Sequence, residues 1–193
     1  MTAAPDDVVV RPAQASEAAE VAWLAATSFP LACPPGTPVE EMARHIAAHL
    51  APADFRGWVR SPEHTLLVAV RDDQLVGYAL LHLGVPTGVE AASVLARVTG
   101  SDGPAVQLSK LYAHPLARGS GSSSALMSGA VEAAAQLASA NGYPDGLPLW
   151  LGTSAQNVRA QAFYRKHGFD VVGTRTYDVG GQLHDDVVML HRP

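Results

Sequence analysis

The stretch from 107 to 126, QLSKLYAHPLARGSGSSSAL, constrains the fold of this chain more than any other. A strand-like apolar run, Val106 to Ala113, precedes a Gly/Ser segment, and a helix with one apolar face follows it from Ser122 to Asn141. Gly/Ser tracts are often flexible linkers. This one joins a strand to the start of a strong helix, so we predict a fixed strand-to-helix loop.

The loop has the composition of an anion-binding site. The first amides of a helix lack intrahelical partners and carry a partial positive charge, so they attract phosphate where the side chains are small. Gly119 and Gly121 permit backbone angles that other residues resist, Arg118 adds a cation, and the serines add donors. We predict that the loop binds an anion, with a solvated loop as the alternative.

Two other Gly/Ser motifs fit less well. A P-loop requires a lysine after its second glycine, and no such lysine follows here. The residues GSSSA, 121 to 125, are one residue short of the GxSxG elbow of hydrolases. That elbow runs directly from strand to turn to helix, whereas HPLARG intervenes here, so the hydrolase hypothesis is disfavoured.

The remaining pattern predicts seven strands and about four helices in one domain, 1–193. The other expected strands are Val8 to Arg11, Thr65 to Val70, Leu75 to Leu83, Leu147 to Thr153, Asp170 to Tyr177 and Asp186 to His191, the last two forming a hairpin around Gly180-Gly181. The other expected helices run from a cap at Ser16 to about Ser28, from Val39 to Leu50, and from Asn157 to His167. Residues 84–104 read as a variable insertion with room for a short helix.

Composition excludes several classes of protein. The 193 residues are 48% hydrophobic and 16% charged, which suits one compact domain rather than a disordered chain. No apolar run is long enough to span a membrane and no secretory signal is present, so we expect a cytoplasmic protein without a membrane partner. Cys33 is the only cysteine, which rules out an internal disulfide. The net charge is −5 and the basic residues are scattered, which argues against nucleic acid as a partner.

Two motifs resemble the cofactor motifs of the GNAT superfamily of N-acetyltransferases. RGSGSS, 118 to 123, resembles its Q/RxxGxG/A pyrophosphate loop, with Ser123 in place of the last Gly or Ala. LYAHP precedes the loop as the family's fourth strand does, and NVRAQAFYRKHGF, 157 to 169, resembles its second cofactor motif. The C-terminal third further resembles bacterial acetyltransferases of the polyamine-acetylating kind.

The resemblance implies an α/β (α+β) fold with a mixed, twisted seven-stranded sheet, flanked by about four helices. In that fold strands 4 and 5 splay apart in a V, and acetyl-CoA lies between them as cosubstrate, with no metal. The backbone of Leu111, Tyr112 and Ala113 would bind the pantetheine and direct an amide at the acetyl carbonyl. The implied pyrophosphate contacts are Arg118, Gly119, Ser120, Gly121, Ser122 and Ser123, and the further cofactor contacts are Asn157 and Lys166.

Tyr164 is the candidate catalytic residue. The resemblance places it facing the sulfur, where a phenol about 3 Å away can donate a proton to the departing thiolate. The alternative is an aromatic packed beside Phe163. Asn157 also suits the N-cap of its helix, a role compatible with cofactor contact.

The general base is left open. An alkyl amine is mostly protonated at neutral pH, so a base or a water chain must remove a proton. The family often places a Glu on the fourth strand, where the nearest residue here is Gln107, which cannot act as a base. His82, His114 and Glu90 are candidates, each with a structural role as the alternative.

Two polar groups stand apart from these motifs. His45 and His49 have the spacing of two metal ligands on a helix, but Ile46 follows His45 where zinc proteases have Glu, and no third ligand is evident. A solvated or acceptor-facing pair is favoured over a metal site. The run His184-Asp185-Asp186 could attract a cationic acceptor or form a polar turn.

These observations lead to one function and two alternatives. The hypothesis is acetyl transfer from acetyl-CoA to a primary amine of a small molecule, with polyamines among the candidates, by direct attack. Acetylation of a protein lysine or N-terminal amine is the first alternative. A non-catalytic acyl-CoA-binding or sensing domain is the second, since Gln107 replaces the usual acid. The resemblance also allows a homodimer.

Overall fold

The computed structural model describes residues 8–33, 36–117, 119–179 and 182–191. Arg118 of the Gly/Ser loop and Gly180-Gly181, where the sequence predicts a turn, therefore lie outside the described residues. The strands are β1 (Val9–Pro12), β2 (His64–Arg71), β3 (Gln74–Gly84), β4 (Ala105–Ala113), β5 (Leu149–Ser154), β6 (Phe169–Val179) and β7 (Gln182–His191). The α-helices are α1 (Ala18–Ser28), α2 (Val39–His49), α3 (Pro52–Arg60), α4 (Val89–Thr99), α5 (Ser122–Ala140) and α6 (Val158–Lys166).

All seven strands form one mixed sheet, in the order β1-β2-β3-β4-β5-β7-β6. Neighbours are antiparallel except β4 and β5, which are parallel. Within the described chain β4 and β5 pair only at Val106 with Leu149 and at Gln107 with Trp150. Beyond that point the two strands separate, which confirms the predicted mixed sheet with its splay.

A β-bulge lies where β4 leaves β5. The register with β3 pairs Leu80 with Lys110 but Leu81 with Leu108, which leaves Ser109 as the extra residue. A bulge of this kind bends the strand and redirects the side chains that follow it. Leu111 consequently packs on the α5 side of the sheet, and Tyr112 packs on the α1 and α3 side.

Helix α5 covers one face of the sheet with the apolar stripe that the sequence predicts. The buried members of that stripe are Leu126, Met127, Ala130, Ala134, Leu137 and Ala138. The helix lies close to β3, because a Cβ on Gly77 would come within 2.7 Å of Leu126 Cδ1. The start of α5, and so the loop before it, is therefore fixed by core packing.

Two helices add to the four that the sequence indicates. Helix α3 has Pro52 in its first turn, and its Asp54 carboxylate accepts a hydrogen bond from the Ala51 amide at 2.9 Å. Helix α4 ends at Gly100, which has the left-handed conformation typical of a C-terminal cap. Gly173 on β6 leaves room for Val94, so the insertion 84–104 contains a helix packed on the sheet.

The predicted cap at Ser16 is wrong. A short 3-10 turn, Ala15–Glu17, precedes α1, and Gln14 is its N-cap. The Glu17 carboxylate accepts the Gln14 amide at 2.7 Å and also pairs with Arg11. Among the described residues, no helix is both long and apolar enough to cross a bilayer.

Candidate active site

A cleft of about 300 Å³ opens where β4 and β5 separate. Its floor is β4 from Gln107 to Tyr112 and β5 from Gly152 to Ser154, and α6 forms one wall. The opposite walls come from residues after α1, from α2 and its C-terminal end, and from the β6–β7 hairpin. The lining residues on those two walls are Phe29, Ala32, Cys33, His45, Leu50, Arg175, His184 and Asp186.

The open edge of β4 lies where the sequence predicts a pantetheine contact. Leu111 and Tyr112 line the cleft, and Ala113 ends the strand opposite Gly77. No described residue of β5 pairs with β4 after Gln107. Backbone N–H and C=O groups need hydrogen-bond partners, so this edge suits an extended ligand with amide groups of its own. The pantetheine arm of coenzyme A is such a ligand.

Tyr164 lines the cleft from α6. Its ring packs against Phe169 at 6.0 Å and against Phe163 at 5.6 Å, so aromatic packing holds it in place beside the cavity. Burial raises the pKa of Tyr164 to about 12. The phenol therefore stays protonated at neutral pH and can serve as a donor.

Asn157 fixes the start of α6 beside the cleft. Its Oδ1 accepts a hydrogen bond from the Ala160 amide at 3.0 Å, which is the N-cap geometry. The predicted capping role is confirmed. Asn157 also lines the cleft, so the same residue is placed for the predicted cofactor contact.

The Gly/Ser loop lies past the end of β4, outside the cleft. Gly119 and Gly121 have φ of +80° and +82°, and a Cβ on either would meet nothing within 4 Å. Glycine is therefore needed for the backbone angle, and open space lies in front of the loop. The Ser120 hydroxyl donates to the Ala117 carbonyl at 2.6 Å and lies 2.6 Å from Ser122 Oγ. These two hydroxyls hold the loop itself in shape.

The start of α5 leaves backbone donors for an anion. No described side chain caps the helix, and the Ser122 amide donates to Ser120 Oγ at 3.3 Å. The amides of Ser123 and Ser124, in the first turn, are the donors that remain. Together with the β4 edge, they match a ligand with an amide-bearing arm and a distal phosphate group.

One predicted cofactor residue lies away from the cleft, and another lies outside the described residues. Lys166 is exposed at the C-terminal end of α6, and Arg118 is outside the described residues. Lys166 does not line the cleft with Tyr164 and the β4 edge. Their contacts with the cofactor stay predictions.

The structure places all three candidate bases away from the cleft lining and gives each another role. His82 stacks on His64 with ring centroids 4.6 Å apart. His114 Nδ1 accepts the Leu116 amide at 3.2 Å. Glu90 accepts from the Thr176 amide and hydroxyl, which ties α4 to β6. Gln107, which cannot act as a base, does line the cleft.

An ion pair on the hairpin wall is not among the residues predicted from the sequence. Arg175 and Asp186 are paired across β6 and β7, 3.1 Å apart, and their side chains are only 12% and 8% exposed. Gly152 of β5 lies under the Arg175 guanidinium, where any Cβ would collide with it. In the sequence, Arg175 lies as far before Gly180 as Asp186 lies after Gly181. A hairpin that turns at Gly180-Gly181, as predicted, therefore places the two residues opposite each other.

The polar run in this hairpin divides between two faces. His184 and Asp186 line the cleft, while Asp185, between them, is exposed. This is the alternation of a strand. Burial raises the pKa of Asp186, and Arg175 opposes that rise.

Asp186→Asn is expected to lower the free energy of unfolding by about 3 kcal/mol, because it leaves the Arg175 charge buried without a carboxylate. Asp185→Asn removes a carboxylate from the adjacent, exposed position and should have almost no effect. Urea unfolding of both variants measures the difference. Equal stability of the two would show that the ion pair contributes nothing.

The described residues include no group of three His, Cys, Asp or Glu side chains arranged to hold a metal. The rings of His45 and His49 lie 4.9 Å apart, and His45 stacks on Phe29 at 4.5 Å. His45 lines the cleft and His49 does not. One member of the pair, His45, therefore faces the cleft.

The sequence profile of the acetyltransferase (GNAT) family matches residues 23–169. The chain belongs to the GNAT acetyltransferase family. An uncharacterized N-acetyltransferase of Mycobacterium bovis is 37% identical to this GNAT protein over 175 residues, covering 91% of this chain and 97% of the relative. An uncharacterized N-acetyltransferase of Mycobacterium tuberculosis matches to the same extent.

Solved structures share the GNAT fold over nearly the whole chain. PaiA N-acetyltransferase from Thermoplasma acidophilum, in complex with coenzyme A, superposes with a TM-score of 0.68 at 17% identity, covering 97% of this chain and 99% of that one. NAA60 from Arabidopsis thaliana, in complex with acetyl-CoA, also gives 0.68, at 18% identity, covering 96% of this chain and 98% of that one. At these identities the similarity concerns the fold of this GNAT protein.

Proposed function

We propose that this GNAT acetyltransferase moves an acetyl group from acetyl-CoA to a primary amine of a small molecule by direct attack. Acetyl-CoA is the acetyl donor of the enzyme. The observation that carries the proposal is that the open edge of β4 and the phenol of Tyr164 share one cleft at the point where β4 and β5 separate. A backbone that can hold the donor thus lies beside a proton donor for its sulfur.

Three parts of the site have separate roles in the proposed reaction. The backbone of Leu111 and Tyr112 holds the pantetheine arm, and an amide at this edge stabilises negative charge that grows on the acetyl oxygen. The amides at the start of α5 bind the pyrophosphate. The Tyr164 phenol gives its proton to the sulfur as the carbon–sulfur bond breaks.

In direct transfer the acetyl group is never bonded to the enzyme, and the protons balance as described next. The ammonium first gives one proton to water or to a base, and the neutral amine nitrogen then forms the new bond to the acetyl carbon and loses a second proton in the same way. The sulfur gains the Tyr164 proton and leaves as the thiol of coenzyme A. Tyr164 then recovers a proton from solvent, which restores the enzyme.

Four further points belong to the proposal: the acceptor class, the remaining cofactor contacts, the location and the oligomeric state. A polyamine is a candidate acceptor because of the C-terminal sequence pattern, and His184 and Asp186 on the cleft wall support a polar acceptor. Arg118 is proposed to contact the pyrophosphate, and Asn157 and Lys166 are proposed to complete the cofactor contacts. We also propose a cytoplasmic location and allow a homodimer.

The test is release of free CoA thiol from acetyl-CoA with a panel of polyamines, amino acids, aminoglycosides and a lysine peptide. We expect release that depends on a small amine. Release only with the lysine peptide would move the assignment to a protein acceptor. Binding of acetyl-CoA without release in any mixture would favour a binding or sensing domain, and absence of binding would overturn the proposed site.

The pH profile provides an independent check. We expect kcat/KM for the amine to rise from about pH 7 to about pH 9, because the neutral fraction of the amine rises over this range. Tyr164, with a pKa of about 12, stays protonated throughout and should cause no falling limb. Steady-state rates across this range measure the profile, and a rate that falls as the pH rises would contradict the assignment of Tyr164.

A further inference from the structure

One side of the cleft carries a cation without a matching acid. Lys110 projects from β4 just after the bulge at Ser109 and lines the cleft. Its Nζ lies 5.1 Å from the centre of the Trp58 ring, on the α3 side of the sheet. Among the described residues no carboxylate oxygen lies within 4.0 Å of this nitrogen.

The surroundings of Lys110 are basic and aromatic. His45 and Phe29, stacked 4.5 Å apart, form the facing wall of the same cleft. Burial, followed by the charges of His49 and Lys110, lowers the pKa of His45. Burial also lowers the pKa of Lys110 itself, and Asp54 opposes that shift.

The nearby acids are committed elsewhere or lie off the cleft. Asp186 is the one carboxylate among the described lining residues, and Arg175 pairs with it. Asp54 accepts the Ala51 amide at the start of α3. Glu41 lies one turn before His45 on α2 and does not line the cleft. The described part of the cleft therefore carries an excess of positive charge.

This charge pattern favours one kind of acceptor over another. A polyamine would bring additional positive charges beside Lys110, and like charges in a half-buried site repel. An amine with a carboxylate or phosphate of its own would match the lysine, which binds both groups as a point charge. The same cation would also lower the pKa of the bound amine and so help to deprotonate it in a cleft where Gln107 replaces an acid.

We infer that the acceptor of this enzyme is an amine that also carries an anionic group, a carboxylate or a phosphate, and that Lys110 binds that group. The inference rests on the proposed acetyl transfer and narrows its substrate class. It replaces the polyamine among the candidate acceptors. Lys110 is then a specificity residue, with His45 and Phe29 forming the wall opposite it.

Matched acceptor pairs test the inference with CoA thiol release as the readout. The first pair is an amino acid and its amide, the second is phosphoethanolamine and ethanolamine, and spermidine represents the polyamines. We expect the anionic member of at least one pair to have a kcat/KM about tenfold or more above its neutral partner. The two pairs distinguish a carboxylate from a phosphate.

Lys110→Gln should abolish the preference. Its expected effect is a KM about tenfold higher for the anionic acceptor, with little change for the neutral partner or for acetyl-CoA. Glu41→Gln is the control, since it removes an acid that lies off the cleft and should leave the preference unchanged. Lys110→Arg should restore part of it.

The outcomes separate the inference from the function on which it rests. Release with spermidine but not with the anionic amines, or a preference that survives in Lys110→Gln, would overturn the inference and leave acetyl transfer standing. A rise in the KM for acetyl-CoA alone would assign Lys110 to the donor and also overturn it. No release with any amine would count against the proposed function itself.

Discussion

Replacement of Tyr164 by phenylalanine is expected to lower kcat by about a hundredfold or more, with little change in the Kd for acetyl-CoA. The substitution removes only the hydroxyl, so the packing against Phe163 and Phe169 should persist. The loss arises because the thiolate would then leave without a proton from the enzyme. Steady-state kinetics, together with titration of acetyl-CoA binding, separate the two effects.

Tyr143→Phe is the matched control. Tyr143 is 38% exposed in the turn after α5 and does not line the cleft. Loss of the Tyr143 hydroxyl should leave both kcat and the Kd for acetyl-CoA unchanged. Full activity in Tyr164→Phe would show that another group, or water, protonates the sulfur.

Gly121→Val is expected to weaken acetyl-CoA binding by about tenfold or more, because it disturbs the backbone that presents the first amides of α5 to the pyrophosphate. Gly121 has φ of +82°, where a β-branched residue is strained by about 1–2 kcal/mol. Its side chain would also extend into the open space in front of the loop. Calorimetric titration with acetyl-CoA measures the loss.

Gly142→Val separates cofactor binding from backbone strain. Gly142, after the other end of α5, has φ of +91° and equally open surroundings. The two variants should lose similar stability in thermal unfolding, and only Gly121→Val should lose affinity. Equal affinity in both would contradict the assignment of the loop to the pyrophosphate.

The fold was predictable where local pattern and core packing agree. The strand, loop and helix between Val106 and Asn141 were expected from residue periodicity, and the structure has them within a residue or two. Helix α3 was missed because it has only nine residues, too few for a clear period. The insertion that holds α4 was ambiguous because its Ala-rich face becomes distinct only when it packs on β6. That residues 1–193 form one domain stays a prediction.

Of the residues that line the cleft, only those within a recognisable sequence motif could be predicted. Tyr164 and Asn157 lie in the cleft because a short motif on one helix sets their spacing. Lys110 lines the cleft because the bulge at Ser109 changes the direction of the side chains that follow it. No local pattern in the sequence predicts that bulge. The candidate bases were chosen by residue type. For Glu90 and His82, the contacts that occupy them come from other elements, at Thr176 and His64, and residue type alone does not predict these contacts.

The most direct test of acetyl transfer by direct attack is a single-turnover reaction of the full chain with acetyl-CoA and an acceptor amine. Mass spectrometry then follows both the acceptor and the intact protein. We expect one acetyl group to appear on the amine as free CoA thiol is released, while the mass of the protein does not change at any time. An acetyl group that first accumulates on the protein would contradict direct attack. Acetyl-CoA that stays intact in the presence of every amine that binds would contradict the transfer itself.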